Sequence, residues 1–220
     1  MPMPTPASLA ALKGIRDLTT LQWYVIPLLA IVIYIYVTEM KKAKQTGNWD
    51  AIFAGLTVFG MDFFNETWNG WVFHFTNHSA LWTTPGATAL RTLIGWNIEI
   101  MFMFAISGII YYHTLAERKE ERILGLPNRW FWAIGYSAFC VFVECVLNIG
   151  GHLVCEYPFW NLSFGGVWLI FLVGYVQFYV AAIVVIGMKT NFRKTLAVCV
   201  IYSVPIAMNV IGKGIFNWAY

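Results

Sequence analysis

Six apolar runs dominate this chain, at roughly 22–39, 51–76, 90–113, 129–150, 164–188 and 195–218. A helix needs about 20 apolar residues to cross a bilayer. Lipid also forces every backbone polar group to be satisfied within the segment, which leaves helices as the natural reading of such runs. The expected architecture is therefore all-α: a polytopic six-helix transmembrane bundle over residues 22–220, preceded by an extended or interfacial segment at 1–21. Composition agrees, with 59% hydrophobic and only 11% charged residues, against about 25% charged in soluble domains.

The breaks between the runs set the orientation. Ten of the 14 Lys and Arg residues lie in "KKAKQTGNWD", "ERKEERILGLPNR" and "KTNFRK". Basic short loops stay cytoplasmic. The first, third and fifth connections are thus expected inside, with both termini and the connections around 77–90 and 150–163 outside. The net charge of +3 is small and gives no support to a nucleic-acid partner. The four cysteines show no CxxC spacing, so neither a disulfide framework nor a zinc ribbon is expected.

The second run contains "MDFFNETWNGWVFHF", residues 61–75. On a helix, Asp62, Glu66 and Asn69 fall at i, i+4 and i+7, with Asn65 beside them, so all four share one face. Glu99 and Asn97 belong to the third run, while Glu144 and Asn148 share one face of the fourth. Asn209 lies in the sixth. A rise of about 1.5 Å per residue puts Glu66 about 15 Å below the outer end of its helix, and Glu99 at a similar depth. Glu144, Asn148 and Asn209 reach the midplane from the other side.

Carboxylates at bilayer depth cost at least about 2.5 kcal/mol each on insertion scales, so they face the bundle interior and tend to serve a function. Asp62, Glu66, Glu99 and Glu144 are the candidate catalytic acids and bases. Asn65, Asn69, Asn97, Asn148 and Asn209 are candidate hydrogen-bonding groups for a substrate, and Trp68 and Trp96 are candidate walls that steady a cation through their ring faces. A carboxyl acid, aromatic walls and amides inside lipid suit protonation of an alkene or epoxide. The same stripe would also serve as helix glue, each interhelical hydrogen bond giving about 0.6–2 kcal/mol.

The histidines open a different reading. His74 and His78 lie four apart, as do His152 and Glu156, all near outer helix ends. Three imidazoles and a carboxylate are ligands that zinc, copper or iron accepts. No cofactor is required by the carboxylate reading; a bound metal ion belongs to this alternative.

"NETWNGW" (65–71) followed by "WNIEI" (96–100) resembles the small integral-membrane terpene cyclases of meroterpenoid pathways, which pair an N-x-x-W-E-like helix with a following N-I-containing helix. The resemblance implies carboxylic acids that start cyclisation of an isoprenoid. Here Asn69 follows Trp68 where the family has Glu, the acid is Glu66, and six spans stand where the family usually has seven. A looser likeness to sterol isomerases points to the same substrate class. The leading expectation is an acid–base isomerase or cyclase acting on a lipid-soluble, isoprenoid- or sterol-like substrate, in contact with membrane lipid, alone, as a homo-oligomer or in a hetero-complex. The alternatives are a non-catalytic or metal-binding subunit of a membrane oxidoreductase or monooxygenase complex, and a proton-coupled carrier.

Overall fold

The computed structural model describes residues 3–116 and 121–220. Arg118 and Lys119 of the charged third connection lie outside them. The chain is mostly helical: α1 (Pro6–Lys13), α2 (Val25–Thr46), α3 (Asp50–Thr76), α4 (Ile98–Ala116), α5 (Asn128–Ile149), a fifth long segment built from α6 (Phe164–Leu169), a π-helical stretch (Ile170–Val176) and α7 (Gln177–Ile186), and finally α8 (Asn191–Asn209) running into a second π-helical stretch (Val210–Ile215). Two short antiparallel hairpins, β1–β2 (Arg91–Leu93, Trp96–Asn97) and β3–β4 (Arg122–Ile123, Leu126–Pro127), precede α4 and α5.

Four of the helices are long and apolar enough to cross a membrane: Ile98–Leu115, Asn128–Ile149, Phe164–Ile186 and Asn191–Ile215. α2 and α3 have the length but carry more polar residues. The second half of α2 holds Glu39, Lys41, Lys42 and Lys44, and α3 holds Asp50, Asp62 and Glu66. Packing explains how α3 tolerates its polar stripe. It lies against α4, α7 and α8, and Asp62, Asn65, Glu66, Thr67 and Asn69 are all buried. α2 instead exposes Ile26, Ile31, Ile33 and Tyr34.

The third apolar run differs from the expectation of a continuous span over 90–113. Residues 91–97 form the β1–β2 hairpin, and the helix starts only at Ile98. Trp96 and Asn97 therefore sit on the hairpin. Asn97 Oδ1 accepts from the Ile100 amide at 2.9 Å and satisfies a donor in the first turn of α4.

At one end of the bundle, connections fold over the helices and tie to one another. Thr83 and Val154 exchange backbone hydrogen bonds (2.9 and 2.8 Å), the Thr5 amide donates to His78 O (3.0 Å), and the Arg16 amide donates to Arg91 O (2.7 Å). The buried Arg91 guanidinium donates to Ala11 O (3.1 Å) and Gly86 O (2.7 Å), clamping α1 to the connection after α3. Burial pulls this guanidinium below its ordinary value. Residues 5–16 thus pack as part of the cap. At the opposite end, Lys194 of α8 pairs with Asp50 of α3, and Asn48 donates to Tyr112 (2.8 Å).

Candidate active site

α3 presents Asp62, Asn65, Glu66 and Asn69 on successive turns of one face. Asp62, Asn65 and Glu66, together with Glu144 from α5, line one cavity of about 30 Å³. Its other walls are Trp82, Ile100, Phe104, Leu153, Trp160, Gly174, Tyr175 and Phe178. Among the described residues, no Lys, Arg or His lines it. Three carboxyl groups thus share a mostly apolar space.

Each carboxyl is held by a donor from another element. Trp96 Nε1 on the hairpin donates to Asp62 Oδ2 at 2.8 Å, and its ring stacks on Phe63 (5.3 Å, 12°). Trp82 Nε1, from the connection after α3, donates to Glu66 Oε1 at 2.9 Å. Tyr175 in the π-helical stretch donates to Glu144 Oε2 at 2.6 Å. A π-turn inserts a residue and re-aims the side chains around it. Here it brings the Tyr175 hydroxyl and the Gly174 carbonyl to the same side. Gly174 O accepts from Asn65 Nδ2 (3.0 Å), and Asn65 Oδ1 accepts from Gln177 Nε2 (2.8 Å).

Asn69 does a different job from the one expected. Its Nδ2 donates to Trp82 O (2.7 Å), while its Oδ1 accepts from the amides of Leu81 (2.7 Å) and Trp82 (3.3 Å). All three bonds hold the connection that carries Trp82, so Asn69 positions the donor to Glu66.

Several expected members lie elsewhere. Glu99 is the second residue of α4 and faces the cap, accepting from Tyr24 OH (2.6 Å), Thr88 Oγ1 (2.6 Å) and the Ala89 amide (2.9 Å). The start of α4 at Ile98 puts it at the helix end rather than at carboxylate depth. Trp68 is 46% exposed and points away from the cavity. Asn97 caps α4. Asn148 lies against Cys155 outside the cavity, and Asn209 donates to Thr67 Oγ1 (2.8 Å) on another face of α3.

The metal candidates are dispersed. His74 stacks on Trp218 (3.8 Å, 14°), His78 meets Tyr157 edge-on (5.9 Å), and His152 borders Gly150 and Gly86. Glu156 accepts from Thr5 (2.5 Å) and Ser79 (2.8 Å). Among the described residues, no group of three or more His, Cys, Asp or Glu lies close enough to hold a metal ion.

The sequence alone did not single out Trp82 and Trp160. Trp82 and Trp160 sit in stretches that read as breaks between spans. Tyr175 and Gln177 were visible as polar groups within the fifth run, but their register depends on the π-turn.

No solved structure matches this chain. A protein of Archaeoglobus fulgidus, described as an uncharacterized protein, is 44% identical over 216 residues, covering 98% of this chain and 100% of the relative. Its description names no terpene cyclase. The family model that matches residues 5–214 carries the description "Uncharacterized membrane protein family", and the chain belongs to that family.

Proposed function

We propose that this membrane protein is an acid–base enzyme whose centre is Asp62, Glu66 and Glu144, isomerising or cyclising a lipid-soluble, isoprenoid- or sterol-like substrate. The observation that carries the reading is the meeting of three buried carboxyl groups in one cavity that, among the described residues, no Lys, Arg or His lines. Simple helix association does not require that arrangement. Neighbouring carboxyl groups exchange protons as a unit, and a proton donor beside an acceptor is what general acid–base chemistry needs. The short "NETWNGW…WNIEI" likeness to terpene cyclases favours the substrate class and adds nothing on mechanism.

In this reading all six long helical segments cross the bilayer, with the basic connections cytoplasmic and both termini outside. The cap then faces outward, and Trp82 with its connection forms the cover over the centre. A substrate's reacting end enters only when that cover moves. The outward apolar face of α2 meets membrane lipid or another copy of the chain.

The test is a comparison of lipid extracts by mass spectrometry from cells expressing the protein, Glu66→Gln or Glu144→Gln, with each variant shown to be folded by size-exclusion chromatography. Products that depend on the unaltered protein should vanish in both variants. Unchanged lipid profiles would sink the reading.

A second reading, a proton relay in a carrier, is favoured by the cavity's size. About 30 Å³ is far below the roughly 300–1,000 Å³ of ordinary ligand pockets. Proton uptake into proteoliposomes that is lost in Glu66→Gln would favour it over catalysis.

A further inference from the structure

Two side chains lining the carboxylate cavity each hold a polar atom without a partner among the described residues. Glu66 is 3% exposed and Trp160 is 4% exposed. Glu66 Oε1 accepts from Trp82, but Glu66 Oε2 has no hydrogen-bond partner, and neither does Trp160 Nε1. More than nine in ten buried polar groups are hydrogen-bonded, and leaving one unsatisfied costs about 1–3 kcal/mol. Two such atoms beside one small cavity point to a ligand that answers both.

The chemistry of the two atoms narrows that ligand. An indole N–H only donates, so its partner must accept. A carboxylate only accepts, so its partner must donate; a carboxylic acid would donate to the same partner. A metal ion satisfies Glu66 and repels the indole N–H. An anion satisfies the indole and not a carboxylate. A bare alkene hydrogen-bonds to neither. An oxygen bearing a hydrogen fits both, and a cavity of about 30 Å³ exceeds the roughly 10–15 Å³ that a bound water needs.

We infer that this cavity is a hydroxyl-binding site, in which an O–H group bridges Trp160 Nε1 and Glu66 Oε2. The group comes from water or from the alcohol end of a lipid-soluble molecule. The inference rests on the same centre as the proposed function and names the group that it holds. The two indoles act as a pair. Trp82 and Trp160 stack with centroids 5.6 Å apart at 27°, Trp82 binding one oxygen of Glu66 directly and Trp160 reaching the other through the ligand. The bound oxygen then lies among Asp62, Glu66 and Glu144, where protons are exchanged.

The experiment uses the full chain in lipid nanodiscs with tryptophan labelled at the indole nitrogen, read by NMR. Trp160→Phe identifies the Trp160 signal among the 11 tryptophans. The probes are 1-dodecanol and dodecane. A Trp160 signal at the hydrogen-bonded position without additive assigns the site to water. A shift to that position with 1-dodecanol and not with dodecane assigns it to an alcohol. A signal at the non-bonded position under all three conditions overturns the inference. Glu66→Gln should move the Trp160 signal, because both residues hold one ligand; an unmoved signal also overturns it. The lipid comparison above separates the two readings. A hydrogen-bonded Trp160 with unchanged lipid products removes the enzyme and leaves the site. Lost products with a non-bonded Trp160 do the reverse.

Discussion

The indole of Trp82 reaches from a connection outside the helices onto Glu66 at the bundle's centre, Nε1 to Oε1 at 2.9 Å. A residue 16 positions along the chain thus supplies a hydrogen bond to a carboxyl of α3 from outside that helix. Trp82→Phe keeps most of the ring and removes the donor. It leaves a buried oxygen without its partner, at a cost of about 1–3 kcal/mol. The purified protein should melt at a lower temperature than the unaltered chain. An unchanged melting temperature would show that another group replaces the indole.

The stripe Asp62–Asn65–Glu66–Asn69 was legible because helical periodicity projects those residues onto one face. Glu144 was legible because a carboxyl in an apolar run has few alternatives to facing the interior. The donors were not. Trp82 and Trp160 lie where hydropathy marks a break, and nothing in composition says that a connection folds back over the bundle. "LRTLIGWN" read as the start of a span because a short apolar run does not distinguish a hairpin from a helix. That one slip moved Glu99 from the helix end to carboxylate depth. Tyr175 depended on a π-turn, which leaves no periodic signature.

Asn69 ties the same connection down with bonds to Leu81 and Trp82. In Asn69→Ala those backbone groups lose buried partners, each at about 1–3 kcal/mol. Hydrogen exchange should quicken at the Leu81 and Trp82 amides and leave α5 unchanged. If Asn69 only held a substrate, exchange in the ligand-free protein would not respond.

Close approach of α3 and α4 depends on Gly108. A Cβ there would run into the Ala54 carbonyl and come within 2.8 Å of Gly55 Cα. Small residues let membrane helices pack backbone to backbone. Gly108→Ala should therefore destabilise by about 1–3 kcal/mol, the usual cost of overpacking. Gly165, in α6, has no heavy atom within 4 Å of the same position. Gly165→Ala should be neutral or stabilising, since Ala is favoured in helices by about 1 kcal/mol. Equal melting temperatures for the two variants would contradict this packing.

Cys155 offers a chemical report on Glu144 from beyond the end of α5. Its thiol lies 4.0 Å from Glu144 Oε1. Burial raises the thiol above its ordinary value, and the negative charge of Glu144 adds to the rise. The thiolate is the reactive form, so alkylation of Cys155 should be slow at pH 8. An ordinary thiol ionises near pH 8.5 and its rate levels off above that. For Cys155 the rate should keep climbing about tenfold per pH unit from pH 8 to 10. Removing the charge in Glu144→Gln should pull the thiol down and quicken labelling at any one pH in that window. Mass spectrometry of the alkylated peptide gives the rate against pH. A rate that plateaus near pH 8.5, or one unmoved by Glu144→Gln, would show that this carboxyl does not act on the thiol.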